Sequence, residues 1–180
     1  MPASAQPPDR TSLQSFGDIS RFLRQGVADE ETRDFRESLG ALSAQIDELV
    51  TLRRSGQGEP EAILAQARRL QVGLRHHQQT VTGFGSAWAA LYEFGAYEQA
   101  LQTSRDALAA WVQTLERRSR REGQAFQQFE QLAWRALGEA LLLLDMYGQQ
   151  GGPPTEPTPA VTARSHPGWW QRVRRWWSRR

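Results

Sequence analysis

Apolar positions between residues 59 and 94 recur at alternating steps of four and three. Ile63, Ala67, Leu70, Leu74, His77, Val81, Phe84, Trp88 and Leu91 keep this spacing throughout. It is the spacing of a helix whose narrow apolar stripe packs against other helices. Glu59 and Pro60 precede the stripe, and proline suits a first helical turn, where its missing N–H costs nothing. The pattern predicts one long helix over 59–94, roughly 50 Å in length, with Ile63, Leu70, Leu74, His77, Val81, Phe84, Trp88 and Leu91 as its packing seam.

The neighbouring segments fit around that helix. Phe35, Leu39, Leu42, Ile46 and Leu49 repeat the same steps, between the acids Asp29-Glu30-Glu31 and the bases Arg53-Arg54. Acids at the start and bases at the end suit a helix dipole, so a helix is expected over 29–54. Ser55-Gly56-Gln57-Gly58 then breaks it, and helices 29–54 and 59–94 should form an antiparallel hairpin. A shorter helix is expected over 11–25, capped by Thr11 or Ser12, with Leu13, Phe16, Ile19, Phe22 and Leu23 on one face. Gly95 is expected to mark a turn or kink, followed by a helix over 96–121 carrying Tyr97, Leu101, Leu108, Val112 and Leu115, with Trp111 off that line. The run from Phe126 to Leu144 is apolar on a broad face, as in a helix buried on two sides, and predicts a last core helix over 124–147. Residues 83–86, Gly-Phe-Gly-Ser, lack the lysine and preceding strand of a phosphate loop, and their glycines are expected to allow close helix approach.

The fold class expected is therefore all-α: an antiparallel, coiled-coil-like bundle of long helices over residues 11–147. Residues 1–10 are small, polar and proline-bearing, and read as disordered. Residues 148–167 are rich in proline and glycine and read as an exposed linker. Residues 168–180 read as a separate amphipathic helix.

Charge changes this picture at one place. The 180-residue chain has 22 basic residues, all arginine, and 20 acids. Six arginines and no acid lie in 157–180, which leaves 16 arginines against 20 acids, a net −4, in residues 1–156. A mildly acidic body thus carries a basic tail. On a helix, Trp169, Trp170, Val173, Trp176 and Trp177 share one face. Arg172, Arg174, Arg175, Arg179 and Arg180 cover the other. Indole favours the boundary between headgroups and acyl chains, and arginine pairs with lipid phosphate. The segment is too short to span a bilayer, so it would lie in the interface of an anionic membrane. Folding back onto the acidic body and binding single-stranded nucleic acid are the alternatives.

Other candidates are weaker. Cysteine is absent, which excludes disulfides, zinc–thiolate sites and cysteine nucleophiles. His76 and His77 diverge by about 100° on a helix and lack a His, Asp or Glu three or four residues away, so no metal site is expected; His77 instead falls on the seam, where a polar residue sets register. Arg117-Arg118-Ser119-Arg120-Arg121 reads as a solvated helix end, with phosphate contact as the other reading. No spaced nucleophile and base, acid pair or cofactor fingerprint is present, so neither an enzyme nor a cofactor is expected. The N-terminus MPASAQPPDR has no apolar signal core and no apolar run reaches 18 residues, so a cytoplasmic location is expected, peripheral at the inner membrane face.

Two resemblances bear on this. Residues from about 33 to 145 resemble the first part of the BAR domain of sorting nexins, through Phe84-Gly85-Ser86-Ala87-Trp88-Ala89-Ala90-Leu91, Gly95, Glu98, Ala100-Leu101 and Ala107-Leu108-Ala109. That resemblance implies dimerising antiparallel coiled coils on curved, anionic membrane. Gly95-x-Tyr97-x-x-Ala100-Leu101 with Ala107 is similar to a single tetratricopeptide unit, which implies a turn near Gly95 and a peptide groove. No second copy lies 34 residues away. The expected function is a non-enzymatic, membrane-peripheral helical scaffold that self-associates through apolar surface left by its hairpin. The alternative is a soluble adaptor whose tail binds a protein or nucleic acid.

Overall fold

The computed structural model of the chain describes residues 13–25, 32–56, 58–88 and 92–149. Among them are five helices and no strand: α1 (Phe16–Gln25), α2 (Arg33–Arg54), α3 (Pro60–Trp88), α4 (Tyr92–Glu116) and α5 (Glu122–Gln149). The all-α class and the bundle follow the hydrophobic pattern. The readings of residues 1–10 as disordered, of 150–167 as linker and of 168–180 as an amphipathic helix lie outside the described residues.

Side-chain contacts give the directions of the helices. Ser38 meets His77 and Glu48 meets Gln66, so α2 and α3 are antiparallel. Arg68 meets Glu116 and Gln78 meets Arg105, so α3 and α4 are antiparallel. Trp111 packs on Phe126 and Phe129 across the α4–α5 turn. Arg53 and Arg54 at the end of α2 reach Glu122 and Glu130 on α5, which closes the ring. The result is an up-down-up-down four-helix bundle. α1 fills the groove between α2 and α5: Phe16 stacks on Trp134 of α5 at 4.3 Å between centroids, and its carbonyl accepts from Ser43 of α2. Small residues let α1 approach α2 closely. Ser20 Oγ donates to the Gly40 carbonyl at 2.9 Å, and Gly40 leaves room for the Leu23 side chain.

The seams are buried as the spacing requires. Phe35, Leu39, Leu42, Ile46 and Leu49 of α2 face Ile63, Ala67, Leu70, Leu74 and Val81 of α3 in one core with Leu101, Leu108, Phe129 and Leu137. Trp111, off the expected line of α4, is fully buried as well. Among the residues whose side chains are described, 84–92 and 147–149 not being among them, Val72 is the one large hydrophobic left exposed. The bundle therefore covers the apolar face that the hairpin alone would leave open.

Several boundaries differ from the pattern. α1 begins at Phe16, not near 11, because Ser15 and Asp18 form a capping box: Asp18 N–H donates to Ser15 Oγ at 3.1 Å and Ser15 N–H to Asp18 Oδ2 at 2.9 Å. Neither Thr11 nor Ser12 has an acid three residues later. α2 starts at Arg33, so Asp34 is its first-turn acid, and residues 29–31 lie outside the described residues. The expected helix 59–94 ends at Trp88, and the next helix, α4, already begins at Tyr92. Gly95 is no break: it lies exposed in the first turn of α4, and burying Phe94 and Tyr97 on either side outweighs the roughly 1 kcal/mol that glycine costs a helix. Gly83 is exposed with open space beyond its Cα, so it does not serve close approach. α5 runs through Gly148 to Gln149 instead of stopping at 147.

The α4–α5 turn also falls earlier than expected, at 117–121. α4 ends in a Schellman motif, with Ser119 N–H donating to the Thr114 carbonyl at 2.9 Å and Arg118 N–H to the Leu115 carbonyl at 3.1 Å. The motif puts its pivotal residue in the left-handed region, and here that residue is Arg118, φ 48°. At the end of α2 the same region is taken by Gly56, φ 66°. Only glycine adopts it without steric cost. Arg118→Gly should therefore stabilise the fold, and Gly56→Ala destabilise it, each by about 1 kcal/mol, or roughly 2–4 °C in Tm by thermal denaturation.

Candidate functional site

The structure brings polar chemistry together at three places, two inside the bundle and one on its end. The first surrounds His77. It sits on the α3 seam with Ile63, Leu70, Leu74 and Val81, and all five are buried. Phe84 and Trp88 belong to α3, and Leu91 lies outside the described residues. The His77 ring is 1% exposed and is held from both sides: Nδ1 lies 2.6 Å from Ser38 Oγ of α2, and Nε2 pairs with the Tyr97 hydroxyl of α4. Phe35 packs on both rings, at 5.4 Å from His77 and 5.7 Å, edge-on, from Tyr97. One histidine thus ties three helices at a single level. His76, the next residue, is exposed, as the helical turn dictates. Among the described residues no three His, Asp or Glu side chains gather as a metal site.

Burial, with a smaller contribution from His76, pulls the His77 pKa down to about 4, and burial pushes the Tyr97 hydroxyl up. The neutral imidazole donates from one nitrogen and accepts at the other, which suits two hydroxyl partners that can each do either. Ser38 lines an open groove between α2 and α3 with Asp34, Glu37, Gln45, His76 and Thr80. A serine against a histidine is also the geometry of a nucleophile and its base. Ser38 lies inside α2, however, where the neighbouring amides belong to the helix ladder and offer no donors to an oxyanion. What the contacts show is α2, α3 and α4 joined at one level.

The second place is Glu122, in the first turn of α5. Its carboxylate accepts from Arg53 Nε at 2.9 Å and Nη2 at 2.6 Å, and from the Trp111 indole at 2.7 Å. Arg53 also lies over the Phe126 ring, 5.6 Å from its centroid. The Arg53 bond, and after it that of Trp111, holds the Glu122 carboxyl below its ordinary range against the opposing effect of burial. The helix N-terminus favours the same charge. Sequence reading placed Arg53 only as a dipole complement and Trp111 only as off-line. The available signal was that a buried tryptophan needs an acceptor for its N–H.

The third place is the turn itself. Arg117, Arg118, Arg120 and Arg121 are all exposed, and no acidic side chain among the described residues pairs with them. The acids on either side are engaged elsewhere, Glu116 with Arg68 and Glu122 with Arg53. The tail residues Trp169, Trp170, Arg172, Val173, Arg174, Arg175, Trp176, Trp177, Arg179 and Arg180 lie outside the described residues.

Removing the ring at residue 77 alone should be costly, and removing both partners less so. His77→Phe leaves the buried Tyr97 hydroxyl unpaired, an expected loss of about 1–3 kcal/mol, whereas His77→Phe with Tyr97→Phe should recover most of it in urea unfolding. The unfolded chain takes up a proton at His77 near pH 6.5 and the folded chain only near 4, so this contribution is complete above pH 6.5 and is lost as pH falls toward 4. Both variants should flatten the urea midpoint over that window. Glu122→Gln should lower stability by about 1–3 kcal/mol by leaving Arg53 without its carboxylate. It should also remove the part of the acid sensitivity that lies below the ordinary glutamate pKa of 4.5.

No protein-family profile, curated protein or solved structure matches the chain.

Proposed function

We propose that the protein is a non-enzymatic, membrane-peripheral helical scaffold that binds the anionic inner face of a membrane from the cytoplasm through its C-terminal Trp/Arg segment. The observation that carries this reading is the tail's own pattern. Trp169, Trp170, Val173, Trp176 and Trp177 share one helical face, and five arginines share the other. Such a segment lies along an interface, with indoles at the acyl boundary and guanidinium groups on phosphate. Each basic residue near an anionic surface adds about 1 kcal/mol at moderate salt.

The body supports the reading by what it lacks as well as what it holds. No helix among the described residues is long and apolar enough to cross a membrane. The net −4 of residues 1–156 leaves the chain ahead of the tail with no overall attraction to an anionic bilayer. Attachment then falls to the tail, and the coiled-coil-like bundle is what it holds in place. The resemblance to sorting-nexin BAR domains points to the same partner class.

Co-sedimentation of the full chain with phosphatidylcholine vesicles, with and without phosphatidylserine, tests this reading at low and high salt. The parent protein should pellet only with anionic vesicles and release at high salt. Trp170→Ser with Trp176→Ser should weaken binding by at least tenfold, because losing two buried indoles costs more than the roughly 1.4 kcal/mol that a tenfold change represents. A protein that pellets with no vesicle, or a double variant that binds like the parent, would overturn lipid insertion and favour an adaptor whose tail meets protein or nucleic acid.

A further inference from the structure

The α4–α5 hairpin is polarised in charge. Its turn presents Arg117, Arg118, Arg120 and Arg121 to solvent, all four without an acidic partner among the described residues. The far ends of the same two helices, residues 92–102 and 139–149, carry Glu93, Glu98, Glu139 and Asp145 and no arginine. Charge along this hairpin therefore runs from positive at the turn to negative at the far ends of its two helices. A field of this shape orients the bundle turn-first toward negative charge.

Backbone strain singles out the same turn. Arg118 occupies the left-handed position of the Schellman motif, where glycine would relieve roughly 1 kcal/mol. Nothing in the packing asks for an arginine there, since its side chain is exposed. A strained residue kept without a packing reason points to a surface role.

We infer that the arginine turn between α4 and α5 is a second phosphate-binding surface, which meets lipid headgroups of the bilayer that takes the tail. This rests on the membrane reading above. The chemistry recognised is phosphate, and a flat bilayer fits better than nucleic acid for two reasons. The four arginines lie within five residues at the end of a rod about 40 Å long, a patch suited to a surface more than to the length of a polymer backbone. No aromatic side chain is exposed beside them to stack a base, because Trp111 is buried and Val72 is the exposed large hydrophobic among the residues whose side chains are described. Reach is sufficient for both contacts. α5 leaves the bundle at the end opposite the turn, and residues 150–168 span up to roughly 60 Å if extended, more than the length of α5.

The experiment uses full-length protein and the vesicles described above. The variant Arg117→Gln, Arg118→Gln, Arg120→Gln, Arg121→Gln should melt like the parent, since all four side chains are exposed, and should bind anionic vesicles at least tenfold more weakly with a shallower salt dependence. Arg118→Gly should melt higher than the parent yet bind about fivefold more weakly. Parent-like vesicle binding by the four-fold variant would overturn the inference and leave the tail reading standing. Weakening by the four-fold variant with no effect of the Trp170→Ser, Trp176→Ser pair would support the turn and sink the tail. A duplex or single-stranded oligonucleotide that binds more tightly than vesicles, and loses that binding in the four-fold variant, would overturn the lipid assignment in favour of nucleic acid.

Discussion

The Glu122 carboxylate is the constraint on which the rest of the bundle depends. It is half-buried at the start of α5, where it joins Arg53 at the end of α2 to Trp111 near the end of α4. None of the three groups does well alone. A buried indole N–H without an acceptor and a half-buried charge without a counter-charge each cost more than an exposed pair returns. Together they satisfy one another, with the dipole of α5 adding the favourable sign. Because α2 and α5 are far apart in the chain, this contact, together with the α3–α4 pairings of His77 with Tyr97 and Arg68 with Glu116, sets how the α2–α3 hairpin sits on the α4–α5 hairpin.

His77 does comparable work inside the core. Ser38 and Tyr97 hold it from α2 and α4, so a slip of either helix by one turn would strand a polar atom in an apolar environment. Apolar seams alone tolerate such slips, because one leucine fills a heptad position much like another. The core therefore gains adhesion from its leucines and phenylalanines and register from a few polar groups. α1 adds a third device. Ser20, Gly40 and Ser43 let two backbones approach closely enough for hydroxyl-to-carbonyl bonds, which fixes α1 over the groove between α2 and α5.

A closed core moves the question of function to the surface. What remains is charge, gathered as arginine on the α4–α5 turn and, with tryptophan, in the last residues of the chain. Both are cationic, and the tail's sequence adds an apolar face to the charge.

The sequence by itself determined the class of fold and most of the core. Helical spacing is a local property, so Phe35 to Leu49 and Ile63 to Val81 could be assigned to buried stripes before any contact was known, and His77 could be placed on one of them. The tail's amphipathic pattern is legible for the same reason. Where helices stop was less legible, because a cap is a contest among neighbours. Ser15 won over Ser12 through Asp18, and Arg118 took a position that glycine normally fills. Only the tertiary structure decided that Gly95 lies inside a helix, that Ser38 and Tyr97 are the partners of His77, and that Glu122 gathers Arg53 and Trp111. These are pairings between residues 11 to 69 positions apart. Periodicity reports which face a residue occupies and carries no information about what meets that face across the core.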